Sequence, residues 1–236
     1  MAQRTPLAVD VRGVWKRYPG AWALREVNLR VDPGEGICLV GPNGSGKTTL
    51  LKILATAANP TRGDAVIFGA SIRSQADTVR RRVGLCVPQS YLYGELSGLE
   101  NLRFAAVMYG LALTEGRLRE KLGAVGLARA ADARARTYSQ GMLQRLALAR
   151  AMLHEADLVL LDEPYTALDP AGQLLIDGIL GSLRAGGRTV IMATHQVERA
   201  LAHCDRAVAL DGGRVVYDGP SQGLPLAVAS PAADGG

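Results

Sequence analysis

Residues 41–48 of this chain read Gly41-Pro42-Asn43-Gly44-Ser45-Gly46-Lys47-Thr48. Its spacing matches the phosphate-binding loop pattern G-x-x-x-x-G-K-[ST]. A short apolar run precedes the loop at residues 37–40, and apolar residues at helical spacing follow it at 48–57. The sequence therefore predicts a strand, a glycine-rich loop and a helix, in the order that phosphate binding requires.

Each part of this loop has a chemical task when a nucleotide binds. Glycines let the backbone turn so that successive N–H groups point inward at phosphate oxygens. The helix that begins near Lys47 directs its positive end at the same negative charge. We expect Lys47 to contact the β- and γ-phosphates and the Thr48 hydroxyl to hold Mg²⁺. All eight loop residues and the adjacent Thr49 are assigned to nucleotide binding.

A second apolar run, at residues 158–161, ends in the acidic pair Asp162 and Glu163. In open α/β sheets, ligands bind beyond the carboxyl ends of the strands, so both acids should emerge beside the phosphate loop. Asp162 is predicted to hold Mg²⁺, directly or through water. Glu163 is predicted to act as general base on the attacking water. Without the phosphate loop, a strand that merely ends in solvated acids would be the better interpretation.

Composition limits the classes of protein to which the chain can belong. Its 236 residues suffice for one large domain, or for one domain with a small inserted subdomain. The net charge of +5 is carried mostly by arginine, without a basic run that contains interleaved aromatic residues, so nucleic-acid binding gains little support. The three cysteines lack metal-ligand spacing. Cys38 and Cys86 lie in apolar runs and are predicted to be core residues of a cytosolic, reduced chain.

No stretch approaches the roughly 18 uninterrupted apolar residues that a membrane span needs. Residues 1–10 also lack the apolar core of a secretory signal. We therefore expect any role at a membrane to come through a partner chain.

The rest of the chain alternates between strand-like and helix-like patterns. A helix-rich stretch at about residues 90–150 lies between strand-rich flanks, which indicates an inserted helical subdomain. Ser139 is well placed to cap the helix predicted at 142–153. Residues 221–236 are rich in Pro, Ala and Gly and are expected to form a disordered tail. Further strands are predicted at 9–29, as a hairpin, and at 64–68, 83–87, 189–193, 206–210 and 214–217; further helices are predicted at 100–111 and 115–125.

Residues Tyr138-Ser139-Gln140-Gly141-Met142 resemble the signature sequence of ABC-type ATPases, usually written Leu-Ser-Gly-Gly-Gln. Supporting motifs occur in the order of that family, and the resemblance covers about residues 9–220. Tyr18 matches the aromatic that stacks on adenine, and Gln89 matches the glutamine of the loop before the helical subdomain. Ala167-Leu168-Asp169 matches the segment that crosses to the partner subunit. His195 matches the switch histidine.

The signature departs from the family pattern at two positions. Gln140 stands where the family has its first glycine, and Met142 stands where it has glutamine. Ser139 and Gly141 remain, and the resemblance implies that they present a hydroxyl and a backbone N–H to the γ-phosphate. We therefore expect the chemistry to survive, with at most a modest change in rate or partner contact.

The resemblance implies an α/β fold with a P-loop NTPase (RecA-like) core, an N-terminal antiparallel β subdomain and an inserted helical subdomain. Residues 1–220 would form this single ATPase domain. ATP and Mg²⁺ are the implied ligands, with Gln89 joining Thr48 and Asp162 at the metal. Gln89 and His195 would assist Glu163 in catalysis. From the residues alone, Gln89 could be a plain loop residue, His195 a core histidine and Tyr18 a turn residue.

The resemblance also implies a head-to-tail homodimer. Each ATP would lie between the phosphate loop of one subunit and the Ser139 segment of the other, so a lone subunit should be a poor ATPase. Closure on ATP and opening after hydrolysis would supply a mechanical stroke.

Two classes of ABC ATPase remain as alternatives: the motor of a membrane transporter, and a soluble mechanical ATPase of DNA repair, chromosome organisation or translation. The second class usually shows long coiled coils, zinc motifs or two cassettes, and the sequence contains none of these. A GTP-binding switch lacks support because no Asn-Lys-x-Asp motif occurs. We therefore expect an integral membrane permease as partner, no nucleic acid, and a cytoplasmic location, peripheral on the inner face of the cell membrane through that partner.

Residues 90–102 bear apolar and aromatic groups that could form a groove for a short helix of the membrane partner, unless they pack internally. Residues 92–104, 109–111 and 162–169 are similar to the ATPases of haem exporters in cytochrome c maturation. Related drug and polysaccharide exporters share much of this pattern. The sequence thus favours export, with haem as a narrower expectation, while the cargo is chosen by the membrane partner.

Overall fold

The computed structural model describes residues 6–87 and 91–225. In this part of the chain, the strands are β1 (Val9–Tyr18), β2 (Ala21–Val31), β3 (Gly36–Val40), β4 (Arg62–Ile67), β5 (Ala70–Ser71), β6 (Val83–Cys86), β7 (Leu158–Asp162), β8 (Thr189–Ala193), β9 (Arg206–Asp211) and β10 (Arg214–Pro220). The α-helices are α1 (Lys47–Leu54), α2 (Ala76–Arg80), α3 (Gly98–Met108), α4 (Glu115–Ala124), α5 (Gln140–Ala151), α6 (Pro170–Ala185) and α7 (Val197–Leu201).

The strands form two sheets. An antiparallel sheet has the order β2-β1-β4-β5, and a six-stranded sheet has the order β10-β9-β3-β8-β7-β6. In the second sheet only the edge pair β10–β9 is antiparallel. Strands β3 and β7, which precede the phosphate loop and the acidic pair, flank β8, so their carboxyl ends reach one edge of the sheet. The predicted α/β fold with an N-terminal antiparallel sheet is confirmed.

The central strands are buried on both faces because each face is covered by another layer. All residues of β3, β7 and β8 are buried, as is typical of parallel strands. Successive side chains of β3 alternate between two apolar clusters: Ile37 and Leu39 face one, while Cys38 and Val40 face the other. Cys38 and Cys86 are fully buried, as predicted for core residues.

Helices α3, α4 and α5 lie between β6 and β7 in sequence and share their own apolar core, which includes Leu102, Leu118 and Leu146. Each of the three helices begins at a capping side chain. Ser97 forms a reciprocal capping box with Glu100, and the Thr114 and Ser139 hydroxyls accept backbone N–H groups of α4 and α5. The prediction that Ser139 caps a helix is confirmed, although the helix begins at Gln140 rather than at residue 142.

Helix α6 is the largest element that the sequence analysis missed. It begins at Pro170 and is capped by Asp169, whose side chain accepts the N–H of Gly172 at 2.8 Å. Toward the C-terminus, Ser221–Gly223 form a short 3₁₀ helix inside the predicted tail, and residues 226–236 lie outside the described part. Of the helices in residues 6–87 and 91–225, none is both long enough and apolar enough to cross a membrane.

Candidate functional site

A cavity of about 380 Å³ opens at the carboxyl edge of the parallel sheet. It brings together most of the residues predicted for nucleotide binding and catalysis, from four separate parts of the chain. The lining residues are Tyr18, Ala23, Asn43, Gly44, Ser45, Gly46, Lys47, Thr48, Thr49, Asp162, Glu163 and His195.

The phosphate loop follows β3 directly, and its shape requires glycine at two positions. Gly41 has φ 137°, and a Cβ there would overlap the carbonyl oxygen of Leu210. Gly46 has φ 109°, and a Cβ there would lie 2.5 Å from the carbonyl oxygen of Ala23. The loop therefore presents its backbone, rather than side chains, where it packs against β2 and β9.

Lys47 is nearly buried at the start of α1. Its Nζ donates to the carbonyl oxygens of Gly41 and Pro42, at 2.7 and 2.9 Å. Burial lowers the pKa of Lys47, while the nearby carboxylates of Glu163 and Asp162 act in the opposite direction. The ammonium thus lies over the loop, within the cavity that the loop encloses.

The hydroxyl of Ser45 is buried and has no hydrogen-bond partner among the described residues. A buried polar atom without a partner is rare, because it loses its bonds to water and gains none in return. Phosphate oxygens are strong acceptors, so a phosphate group in the cavity would satisfy Ser45 Oγ. The unpartnered Ser45 hydroxyl and the sequence motif therefore both indicate a phosphorylated ligand.

Asp162 and Thr48 meet at the cavity, where the Thr48 hydroxyl donates to Asp162 Oδ2 at 2.7 Å. Burial raises the pKa of Asp162, although the Thr48 hydrogen bond and the Lys47 charge oppose this. Within the described residues, no group of three or more His, Cys, Asp or Glu side chains gathers as a metal cage. Two oxygen donors beside a phosphate site suit Mg²⁺, which keeps waters and takes phosphate oxygens as its remaining ligands.

Glu163 follows β7, and its carboxylate is oriented by groups that follow the neighbouring strand β8. Its Oε2 accepts the Thr194 hydroxyl at 3.1 Å and the His195 N–H at 3.3 Å. The His195 Nε2 lies 3.3 Å from Glu163 Oε1. The predicted general base and switch histidine are therefore in direct contact.

Tyr18 lies at the end of β1, with 41 % of its surface exposed. Tyr18 lines the cavity, and the Lys16 ammonium lies 4.8 Å from its ring centroid. Trp15 and Trp22 instead pack edge-to-face against each other, with ring centroids 5.3 Å apart. The structure thus places Tyr18, rather than either tryptophan, where a base could stack.

Of the predicted site residues that the structure describes, four do not line the cavity. Gly41 and Pro42 instead place their carbonyl oxygens against Lys47 Nζ, at 2.7 and 2.9 Å.

The two signature residues lie elsewhere on the chain. Ser139 is exposed at the N-terminus of α5, where its Oγ accepts the Met142 N–H at 3.2 Å. Gly141 packs against the backbone of Ala167, and neither Ser139 nor Gly141 lines the cavity. Gln89, predicted for the metal and for catalysis, lies outside the described residues.

Sequence reasoning missed three residues of the site. Ala23 lines the cavity from β2. Thr194 is buried and holds the Glu163 carboxylate, and the Gln144 amide donates to the Glu163 backbone carbonyl at 3.2 Å. Thr194 could have been found from its place beside His195 at the end of a strand. Gln144 has no comparable sequence signal, because α5 contains several other polar residues.

Comparisons with known proteins agree with this geometry. A family model described as "ABC transporter" matches residues 24–166. Nod factor export ATP-binding protein I of Cupriavidus pinatubonensis is 36% identical over 218 residues, covering 92% of this chain and 67% of that protein. Phosphonates import ATP-binding protein PhnC of Stutzerimonas stutzeri is 37% identical over 242 residues, covering 92% of this chain and 86% of that protein. A dimeric, post-hydrolysis structure of the ATP-binding cassette MJ0796 with ADP and Pi has a TM-score of 0.84 and 30% identity, covering 92% of this chain and 100% of that one.

Proposed function

Because this chain belongs to the ABC transporter family of ATP-hydrolysing subunits, we propose that it powers a transporter whose membrane-spanning segments lie on other chains. The observation that carries the proposal is an exposed apolar face within residues 91–108, which overlaps the stretch 90–102 where the sequence predicts a partner. The alternative is a mechanical ATPase of the same family that has no membrane partner.

The residues of the cavity have three separate roles in the proposed hydrolysis: phosphate binding, proton acceptance and metal binding. Lys47 exchanges its two carbonyl contacts for phosphate oxygens when ATP enters, and the loop N–H groups bind the same phosphates. Glu163 accepts the proton of the attacking water, with its carboxylate held by Thr194 and His195. Thr48 and Asp162 would hold Mg²⁺ beside the phosphates, and the ion would supply positive charge that offsets the charge on the β- and γ-phosphates.

The position of Ser139 supports a head-to-tail homodimer. Ser139 is exposed and does not line the cavity of its own subunit, so in the proposed dimer a second copy would provide the signature segment to each site. The MJ0796 cassette, all of which is matched by 92% of this chain, is dimeric with ADP and Pi bound. In this arrangement Ser139 and Gly141 of one copy face the γ-phosphate bound by the other, and ATP turnover per subunit rises with protein concentration.

The apolar face, which we call the docking face, consists of Tyr91, Tyr93, Phe104, Val107 and Met108. Val107 and Met108 are each 69% exposed, and the rings of Tyr93 and Phe104 pack edge-to-face with centroids 4.9 Å apart. Phe104, Val107 and Met108 lie at i, i+3 and i+4 on α3 and so share one side of the helix. Contiguous exposed apolar groups mark interaction surfaces, and a short amphipathic helix of the permease is the proposed occupant.

The experiment that tests this proposal uses the Glu163→Gln variant as a trap. The tagged variant is expressed in the native cell, membranes are solubilised with ATP present, and the co-purifying proteins are identified. A stoichiometric polytopic membrane protein is expected. Its loss on adding Val107→Glu and Met108→Glu, with an unchanged melting temperature, would assign the docking face. Recovery from the soluble fraction alone, with DNA, ribosomes or no partner, would favour the mechanical alternative.

Export is the proposed direction of transport. The sequence is similar to exporter ATPases in residues 92–104, and one of the relatives above is a Nod factor export protein, while another is a phosphonate import protein. Haem as cargo rests on the sequence similarity alone, and a drug or polysaccharide exporter is the second candidate. In this account the subunit lies in the cytoplasm, peripheral on the inner face of the cell membrane through its permease. Reconstitution of the captured permease with this subunit, followed by substrate uptake or release assays, would decide between these cargoes.

A further inference from the structure

The segment from Glu163 to Ala167, which begins in the acidic pair, contains two strained backbone positions. Glu163 has φ 51° and Ala167 has φ 62°, although neither residue is glycine. Residues with a Cβ rarely adopt this left-handed region, and they persist there only when surrounding contacts hold them. The strain at Glu163 has a direct consequence, because its backbone angles set the direction in which the carboxylate leaves the chain.

Three hydrogen bonds hold the peptide groups of Glu163. Its N–H donates to the carbonyl of Ala193 at 2.7 Å, and its carbonyl accepts the N–H of Thr166 at 3.2 Å. The third bond comes from the Gln144 side chain, whose Nε2 donates to the same carbonyl at 3.2 Å. The first two belong to the sheet edge and to the local turn, whereas the third comes from the middle of α5.

Gln144 is only 7% exposed and lies on a helix face that is otherwise apolar, near Leu148 and Ala147. Apart from Glu163, its amide nitrogen has one weak contact, with Cys86 Sγ at 3.9 Å. Gln144 does not line the cavity and therefore does not bind nucleotide directly. A buried amide destabilises the fold unless it is hydrogen-bonded. The hydrogen bond to the Glu163 carbonyl therefore offsets the cost of burying the Gln144 amide.

We propose that Gln144 is a positioning residue for hydrolysis: its amide holds the left-handed backbone of Glu163 and so aims the carboxylate at the attacking water. This inference rests on the proposed role of Glu163 as general base. Helix α5 is also capped by Ser139, the residue expected to meet the ATP of the partner subunit. The hydrogen bond between Gln144 and Glu163 therefore links two sites. It connects the helix whose signature segment acts on the partner's ATP to the general base that acts on the ATP of its own subunit.

Gln144→Met tests the proposal because methionine keeps the length and the apolar packing but lacks the N–H donor. We expect kcat to fall about ten- to a hundredfold while the KM for ATP stays within about twofold, since misplacing a catalytic group costs rate rather than binding. Gln144→Asn, which keeps an amide but is too short to reach the carbonyl, should give the same separation of kcat from KM. Unchanged kcat in both folded variants, or a fall in kcat matched by an equal rise in KM, would overturn the proposal.

A double variant separates positioning from general damage. In the Glu163→Gln background, where the carboxylate is absent, adding Gln144→Met should not lower the rate of single-turnover ATP hydrolysis further. A second loss of the same size would mean that Gln144 acts independently of Glu163 and would overturn the positioning role alone. Hydrolysis by Glu163→Gln at the parental rate would instead refute the general-base assignment, and this inference with it.

Discussion

The phosphate loop and the signature segment are both short motifs at the start of a helix, yet they lie in very different surroundings. Lys47 is buried at the edge of the parallel sheet, where residues from four parts of the chain enclose one cavity. Ser139 is exposed at the end of α5, and its hydroxyl caps its own helix. The first motif is therefore complete within one chain, whereas the second needs another surface to act on.

This contrast explains how hydrolysis can depend on assembly. The groups that bind phosphate and activate water are already in contact before any partner arrives, as the Thr48–Asp162 and Thr194–Glu163 hydrogen bonds show. The signature segment has no such contact with the cavity of its own subunit. Binding should therefore survive in a lone subunit, while turnover should require two.

The largest effect is expected for Glu163→Gln. Loss of the general base should lower turnover about a hundredfold or more, while ATP affinity changes little because the phosphate loop is untouched. Phosphate release and equilibrium nucleotide binding measure the two quantities separately. Glu198→Gln removes an exposed acid three residues beyond His195 and serves as the matched control. Turnover of Glu163→Gln at the parental rate would contradict the assignment.

Lys47→Ala should weaken binding itself. Removing a charged hydrogen-bond donor from the phosphates should raise the ATP dissociation constant about tenfold or more, as measured by isothermal titration calorimetry. Lys121→Ala is the control, since that lysine pairs with Glu155 on the helical segment, away from the cavity. If Lys47→Ala bound ATP as tightly as the parent, the phosphate-loop interpretation would be wrong.

Ser139→Ala tests the role of the signature segment. We expect about a tenfold fall in turnover, with unchanged ATP affinity in the lone subunit, together with about 1 kcal/mol lost from the free energy of unfolding because α5 loses its cap. Thr114→Ala is a matched control, because it removes the equivalent cap from α4. Chemical denaturation and ATPase assays should give both variants a similar stability loss but only Ser139→Ala a turnover loss. Equal turnover losses would reduce the role of Ser139 to helix capping.

The smallest expected effect is on stability, at Asp162. Because burial raises the pKa of this carboxyl, the folded chain binds its proton more readily than the unfolded chain does, and ionisation at neutral pH destabilises the fold. Asp162→Asn should therefore raise the melting temperature of the nucleotide-free chain at neutral pH, and the gain should shrink as the pH falls and Asp162 is protonated. Asp132→Asn should show no such gain, since Arg119 lowers the pKa of Asp132. A lower melting temperature for Asp162→Asn would contradict this account.

Much of the fold could be predicted from local patterns, because β3, β7 and β8 are apolar runs followed by chemically distinctive residues. Helix α6 was missed although Asp169-Pro170 provides a capping residue and a proline at the first helical position. The contacts of Gln144 and Thr194 with Glu163 could not be predicted, since they depend on how α5 and β8 pack beside β7. The identity of the cargo stays a prediction, because the chain that would choose it is a different one.

If two copies build each hydrolytic site, mixing two defective variants should restore activity. Glu163→Gln retains Ser139, and Ser139→Ala retains Glu163, so a mixed dimer contains one site with both residues and one site with neither. We predict that the specific ATPase activity of an equimolar mixture exceeds the average of the two separate variants, toward about a quarter of the parental value for random pairing. Activity equal to that average would show that each site is complete within one subunit and would contradict the account.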